Sequence, residues 1–456
     1  MLKRLKALRD KVRYINRLII EIDKNQSTLQ IQNTELTEKL VETGSCIDML
    51  YQQMIGLEEK QEKLFSMLEN ERKAANSYVN PEYLLLQKEE RIKYLLVGFY
   101  GAVNLGDELM LQKLYHDLEP VKNDVYVLMC DNIHLDVFLY PGINIIHYPK
   151  TKFDFNFLSS IFDCVIFGGG AIIDDTKYSL NDSYKYDLGK IFIELSSAFI
   201  SKGKKVYSLG LSTNDGLTDN RYITKLKYII DNSAFFSVRD KYSAGVLETI
   251  IGHQIKQIND IVLSYESLDL SQKTDTKYRI GIIWICNDEL KNPLYELLDH
   301  ILSKYDMNSV EIRFIPFYNY NNCDPDFYDT VCREFKSESF SVSDTPHNFS
   351  EVYREICECD LIITMRYHGA LLGLKGKRRT LALLYSQHRH YYNKMRDLYE
   401  RFQRAEDLFP SLELLKMAIP VDDTPINKEI QFDNSDYDKV IHELINLGSN
   451  KKEEKR

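Results

Sequence analysis

The sequence predicts two Rossmann-like α/β domains behind a long N-terminal coiled coil. Three observations carry that reading. A heptad pattern runs unbroken over the first seventy or so residues. From residue 92 onward, apolar strands alternate with helical patterns and repeatedly end in glycine or arginine. A polar stretch near residue 270 interrupts the alternation, which then restarts.

The heptads can be counted. With position a at Leu5, the a and d series run to Leu68 and Glu71, and fifteen of the 20 positions are apolar. Polar Gln26 and Asn33 fall at a and can set register and strand number. A straight helix over residues 2–71 would be roughly 105 Å long and would need a partner helix to cover its stripe. The expectation is a coiled coil over 1–73 and assembly as a homo-oligomer; a helical hairpin broken near Gly44-Ser45 is the alternative. A linker over 74–90 contains Pro81.

The first Rossmann-like domain is read over 91–265, with strands at 92–97, 125–129, 143–147, 164–167, 206–209 and 234–238. Residues 264–277 read as an interdomain linker. The second domain is read over 278–447, with strands at 280–286, 311–316, 360–364 and 380–385 followed by C-terminal helices. Residues 448–456 form a charged tail.

Composition narrows the function. The formal charge is -10, which argues against a nucleic-acid partner. None of the eight cysteines forms a CxxC pair, so neither a zinc site nor a dithiol is expected, and no metal or cofactor is assigned. No apolar run is long enough to span a membrane, and no signal-like segment opens the chain, so the expected location is cytoplasmic. Seven basic side chains fall among the first 17 residues. They fit either the solvated face of a coiled coil or a peripheral contact with the inner face of an anionic membrane.

Four strand-to-helix junctions carry the candidate chemistry. The first, Gly98 to Glu108, follows a strand and opens a helix. Its glycines permit close backbone approach, and the helix start suits an anion or a sugar. Asn104 and Asp107 are candidate ligand-binding residues, while Glu108 reads as a helix cap. The second junction, Gly168-Gly169-Gly170, reads as a loop presenting backbone N–H groups to a ligand; Asp174 and Asp175 follow it. In the third, Ser237-Val238-Arg239-Asp240, Arg239 stands at the carboxyl end of a buried strand with a planar fork suited to carboxylate or phosphate. A surface pair with Asp240 competes with that reading, but sequence neighbours on a strand face opposite ways. The fourth, Arg366-Tyr367-His368-Gly369, places an anion clamp two residues from a group that titrates near neutrality.

In this order the four motifs resemble those of the polysaccharide pyruvyl transferase family, over about residues 92–400. The resemblance implies a GT-B-like fold and a phosphoenolpyruvate donor. It also implies a glycan or lipid-linked sugar acceptor, held by Asn104, Asp107, Gly168, Gly169 and Gly170, donor-binding roles for Arg239 and Arg366, and a catalytic role for His368. Two positions depart from the family pattern: His388 stands where a Tyr-x-x-Lys lysine is usual, and Arg379 where a proline is usual. A nucleotide-sugar glycosyltransferase of the same architecture is the rival enzyme, and a coiled-coil scaffold carrying an inactive domain is the rival from another class.

Overall fold

The computed structural model describes residues 91–129, 142–149, 151–176, 178, 187–214, 216–268, 277–306, 308–319, 323–384, 389–419 and 432–453, together with Tyr83 and Leu86. The chain divides into two compact units, 1–78 and 79–456. The coiled coil, its basic N-terminus and His388 lie outside the described residues.

Unit 79–456 is built on two all-parallel sheets. The first contains β1 (Tyr94–Val97), β2 (Val125–Met129), β3 (Asn144–His147), β4 (Cys164–Ile173), β5 (Lys205–Thr213), β6 (Phe235–Val238) and β7 (Lys256–Gln257), ordered β3-β2-β1-β4-β5-β6-β7. The second contains β8 (Tyr278–Ile283), β9 (Val310–Phe314), β10 (Phe340–Val342), β11 (Leu361–Thr364), β12 (Arg379–Leu383) and β13 (Leu408–Phe409), ordered β10-β9-β8-β11-β12-β13. In both orders the chain moves outward one way from the first strand and then reverses. That reversal opens a crevice at the carboxyl ends of the strands flanking it. The central strands are apolar on both faces because helices cover both, as for β1 and β11, in which every residue is buried.

The two halves share one core. An apolar cluster continues from Leu109 and Leu114 of the first half to Phe349, Val352 and Leu371 of the second, with Tyr265 stacked on Phe349 at 4.2 Å between ring centroids. Backbone joins them as well. Leu105 N donates to Phe317 O at 2.9 Å and Asn319 N to Val103 O at 3.1 Å, around an antiparallel bridge between Asn104 and Tyr318.

Two domain boundaries differ from the sequence reading. Tyr83 falls in the segment read as linker, yet it is fully buried and its hydroxyl donates to His147 O, so an aromatic anchor there is part of the first half. The last helix, Ser435–Glu453, was grouped with the second half but packs on the first. Tyr94 hydroxyl donates to Leu444 O at 2.7 Å, Tyr207 hydroxyl to Glu443 at 2.7 Å and Tyr437 hydroxyl to Asp117 at 2.7 Å. Its buried Tyr437, Val440, Ile441 and Leu444 recur at helical spacing, which gives it an apolar stripe to cover. The tail read from residue 448 is helical through Glu453.

Candidate active site

The first junction supplies one wall of the crevice. After β1, the chain turns through Gly98–Asn104 into the helix Leu105–Asp117. Glu108 does not cap this helix. It is buried, and its Oε1 accepts from Gly101 N at 2.8 Å and Val103 N at 3.2 Å, so it braces the loop from inside. Val103 is held at φ 55°, a left-handed conformation that a β-branched residue rarely adopts. Asn104 occupies the N-cap position without a side-chain cap bond, and its side chain lines the crevice instead. Asp107, one turn on, lines it too.

The glycine run does not. Gly168, Gly169 and Gly170 lie within β4, not in a loop after it, and none of them lines the cavity. A Cβ on Gly168 would sit 2.2 Å from both Leu114 Cδ1 and the Tyr100 hydroxyl, and one on Gly169 would sit 2.4 Å from Met110 Sδ. These two glycines let the helix Leu105–Asp117 lie directly on the strand. Gly169 and Gly170, at φ 81° and 87°, carry the strand through a bulge that only glycine passes without strain. They therefore shape the wall behind Asp107 and do not themselves line the cavity.

Arg239 follows β6 and is almost wholly buried. Its Nε donates to Ser212 Oγ at 2.8 Å and its Nη1 to Asp260 at 2.7 Å, and the guanidinium stands 4.7 Å from the Tyr367 ring centre. Asp240, next in sequence, turns away and caps the following helix through Ser243 N. Asp260 is shared, because its Oδ2 also lies 3.5 Å from His368 Nε2. Burial would raise the Asp260 carboxyl, but Arg239 and His368 outweigh burial and hold it below the usual carboxylate range. The result is a buried chain of polar side chains, Arg239–Asp260–His368, crossing from one half to the other.

At the fourth junction, Arg366 is the N-cap residue of the helix Tyr367–Lys375, anchored by its backbone N donating to Thr364 Oγ1 at 3.0 Å. Its guanidinium donates to both carboxylate oxygens of fully buried Asp324, at 2.8 and 3.1 Å, and to Trp284 O at 3.3 Å. Gly369 lets this helix approach β8 and β11, since a Cβ there would sit 2.6 Å from Thr364 Oγ1. Gly106 makes room for the catalytic candidate itself: a Cβ on it would fall 1.9 Å from His368 Nδ1.

Asn104, Asp107, Arg239, Arg366 and His368 thus meet on one cavity of about 390 Å³. Arg239, Arg366 and Lys394 give it a cationic part, with His368 beside them. Asp174 and Asp187, with Phe99 and Gly189, give it an acidic and aromatic part. Among the described residues, no cluster of three or more histidine, cysteine or acidic side chains is placed to hold a metal. Sequence reasoning missed Asp260, Asp324, Tyr391 and Lys394. Asp260 and Asp324 could have been sought as the counter-charges that buried arginines require. Lys394 and Tyr391 sit in a polar helix that carries no motif.

Asp107 bears the cost of the site. Burial raises its carboxyl to about 6, against the opposing pull of His368 and Arg239. A carboxyl raised in the folded state favours folding while it is protonated. That contribution is complete below the ordinary Asp value near 3.9 and is lost as pH rises through about 6. Asp107→Asn is therefore expected to stabilise the protein at pH 8 by about 1–3 kcal/mol, with little gain at pH 4. Urea unfolding at the two pH values measures this, and equal midpoint shifts at both would contradict it.

The family model described as polysaccharide pyruvyl transferase matches residues 104–387. None of the curated proteins matches the sequence. Among solved structures, the chain is similar to the UDP-GlcNAc 2-epimerase from Methanocaldococcus jannaschii, with 11% identity over 77% of this chain and 99% of that one and a TM-score of 0.48. It is also similar to the UDP-GlcNAc 2-epimerase from Neisseria meningitidis, with 11% identity over 79% and 98% and a TM-score of 0.43. A third likeness is to an O-GlcNAc transferase mutant from Thermobaculum terrenum, with 12% identity over 83% and 67% and a TM-score of 0.39. Likenesses this loose say nothing of chemistry or ligand.

Proposed function

Because the chain belongs to the polysaccharide pyruvyl transferase family and is thus a transferase, we propose that it moves the pyruvate unit of phosphoenolpyruvate onto two hydroxyls of one sugar, in a cell-surface glycan or its lipid-linked precursor. The observation that supports this most is the meeting of Arg366 and His368 from one half with Arg239 and Asp107 from the other, on a cavity sized for a small donor and one sugar ring.

The chemistry asks for these groups. The donor's methylene carbon takes a proton, leaving an oxocarbenium-like centre at C2. One sugar hydroxyl forms a bond to C2, and the bond from C2 to the phosphate oxygen breaks. A second hydroxyl of the same sugar closes the ketal. Of the two hydroxyl protons released, one balances the proton taken up by carbon and the other leaves with phosphate. His368 is the acid/base for these transfers, held against Asp260. Arg239 and Arg366 hold the donor's anionic groups with the edges of their guanidinium planes not engaged by Asp260 and Asp324. Asn104 and Asp107 face the acceptor's hydroxyls. Asp174, Asp187 and Phe99 extend that wall; acidic groups beside an aromatic ring suit a neutral sugar better than a second anion.

Incubation with isotopically labelled phosphoenolpyruvate and a panel of glycan acceptors, read by mass spectrometry, tests the reading. Label transferred to acceptor with a ketal-sized mass gain upholds it. A hexose-sized gain from a nucleotide sugar would establish the rival glycosyltransferase, and no transfer with any donor would favour the scaffold.

The heptads of residues 1–73 suggest that the enzyme works as a homo-oligomer in the cytoplasm, at the membrane face if its acceptor is lipid-linked. A chain starting at Val79, which keeps Tyr83, is expected to sediment as a monomer and retain turnover, whereas the full chain sediments as an elongated oligomer. A compact full-length monomer would remove the coiled-coil assignment.

A further inference from the structure

Among the described residues, three lysine or arginine side chains line the cavity, and two of them are already answered by carboxylates. Arg239 is paired with Asp260 and Arg366 with Asp324, both aspartates buried. Lys394, on the helix Arg389–Arg401, is different. Its ammonium lines the same cavity and lies over the rings of Tyr391 and Tyr367, at 4.8 and 5.6 Å from their centres. Among the described residues it has no hydrogen bond and no carboxylate within ion-pair distance. The side chain is half-buried at the cavity wall. Drawing a cation partly out of water without a counter-ion is costly, and burial, then neighbouring Arg239, lowers its proton affinity to about 8. Asp240, Asp107 and Asp260 pull the other way from a distance. Such a group is stabilised by an anion that enters the cavity.

We propose that Lys394 is the phosphate-binding residue of this cavity, receiving, on the donor reading given above, the phosphate of phosphoenolpyruvate. A compact ammonium suits a phosphate as a point charge, and it is uncommitted, whereas the planar forks of Arg239 and Arg366, which suit carboxylate or phosphate alike, are each already partly engaged by an aspartate. The phosphate carries about two negative charges near neutrality, more than the ion-paired arginines can offset alone. Breakage of the bond from C2 then delivers inorganic phosphate to the one ammonium in the cavity with no carboxylate of its own.

The test is calorimetric titration of the full chain with phosphoenolpyruvate, inorganic phosphate and pyruvate, in buffers of different ionisation enthalpy at pH 8. The wild type is expected to bind phosphate and take up a fraction of a proton as it does so. In Lys394→Met, affinity for phosphate and phosphoenolpyruvate should fall by about 10- to 100-fold, with pyruvate binding unchanged and the proton uptake gone. Lys394→Arg should recover affinity without proton uptake, which separates loss of charge from loss of fold. Equal phosphate affinity in wild type and Lys394→Met, or a selective loss of pyruvate binding, would overturn the assignment, as would a wild type that does not bind phosphate. Phosphate binding that depends on Lys394, together with no binding of phosphoenolpyruvate, would uphold the phosphate site and sink the donor reading instead.

Discussion

Replacing His368 with alanine is expected to lower turnover by about 10²- to 10⁴-fold while leaving donor affinity within a few-fold of wild type. The expectation follows from position. The ring lies 3.5 Å from Asp260 through Nε2, shares the cavity with Asp107, and rests against a helix surface from which Gly106 has removed any side chain. Nothing in its surroundings explains such a placement by packing: it is a polar ring at the wall of the cavity, with its Nε2 buried and poorly satisfied. Steady-state rates with saturating phosphoenolpyruvate, alongside calorimetric affinity, separate the two effects. Turnover within threefold of wild type would exclude this histidine from proton transfer.

The second large effect is on stability. Asp260→Ala removes the carboxylate that answers Arg239, at a site where both side chains are nearly inaccessible. A guanidinium left buried without its partner costs about 3–5 kcal/mol, and the urea midpoint should drop accordingly. Acid should mimic the substitution in part. A carboxyl held below its ordinary range contributes stability that is present above that range and is lost as pH falls beneath it, so the gap between wild type and variant should narrow on acidification. A midpoint unchanged at pH 7 would mean that the pair contributes nothing net. Because Asp260 also contacts His368, the variant is expected to lose activity in excess of its loss of folded protein, a difference that activity per folded molecule reads directly.

How much of this could be read from the chain depended on how local each feature is. The central strands were legible because they are short apolar runs punctuated by glycine: 125–129 was placed to the residue, and 164–167 to its start. The edge strands Lys256–Gln257, Phe340–Val342 and Leu408–Phe409 were missed because they are two or three residues long and half-buried or exposed, so no apolar run announces them. The Gly168–Gly170 run was misassigned for a specific reason. Glycine at a strand end serves a ligand or a tight packing contact equally well, and only the positions of Leu114, Tyr100 and Met110 decide between them. Arg239, Arg366 and His368 were legible as charged groups in junctions that leave little room for them. Their aspartate partners were not, because Asp260 and Asp324 reach them across 21 and 42 residues of sequence and follow no spacing rule.

The return of the last helix to the first sheet has a consequence for how the protein is made. Tyr94 and Leu444 are bonded across 350 positions of chain. At ribosomal rates of about 5–20 residues per second, the first sheet is complete at Gln257 and must wait roughly 10–40 seconds for the segment around Leu444 that covers Tyr94, Tyr207 and Val121. During that interval an apolar strip of a nearly complete domain faces solvent, at the stage when several ribosomes on one message hold identical strips close together. Nascent chains cut short before residue 435 are therefore expected to be the aggregation-prone species, and they should be the ones that chaperones hold longest.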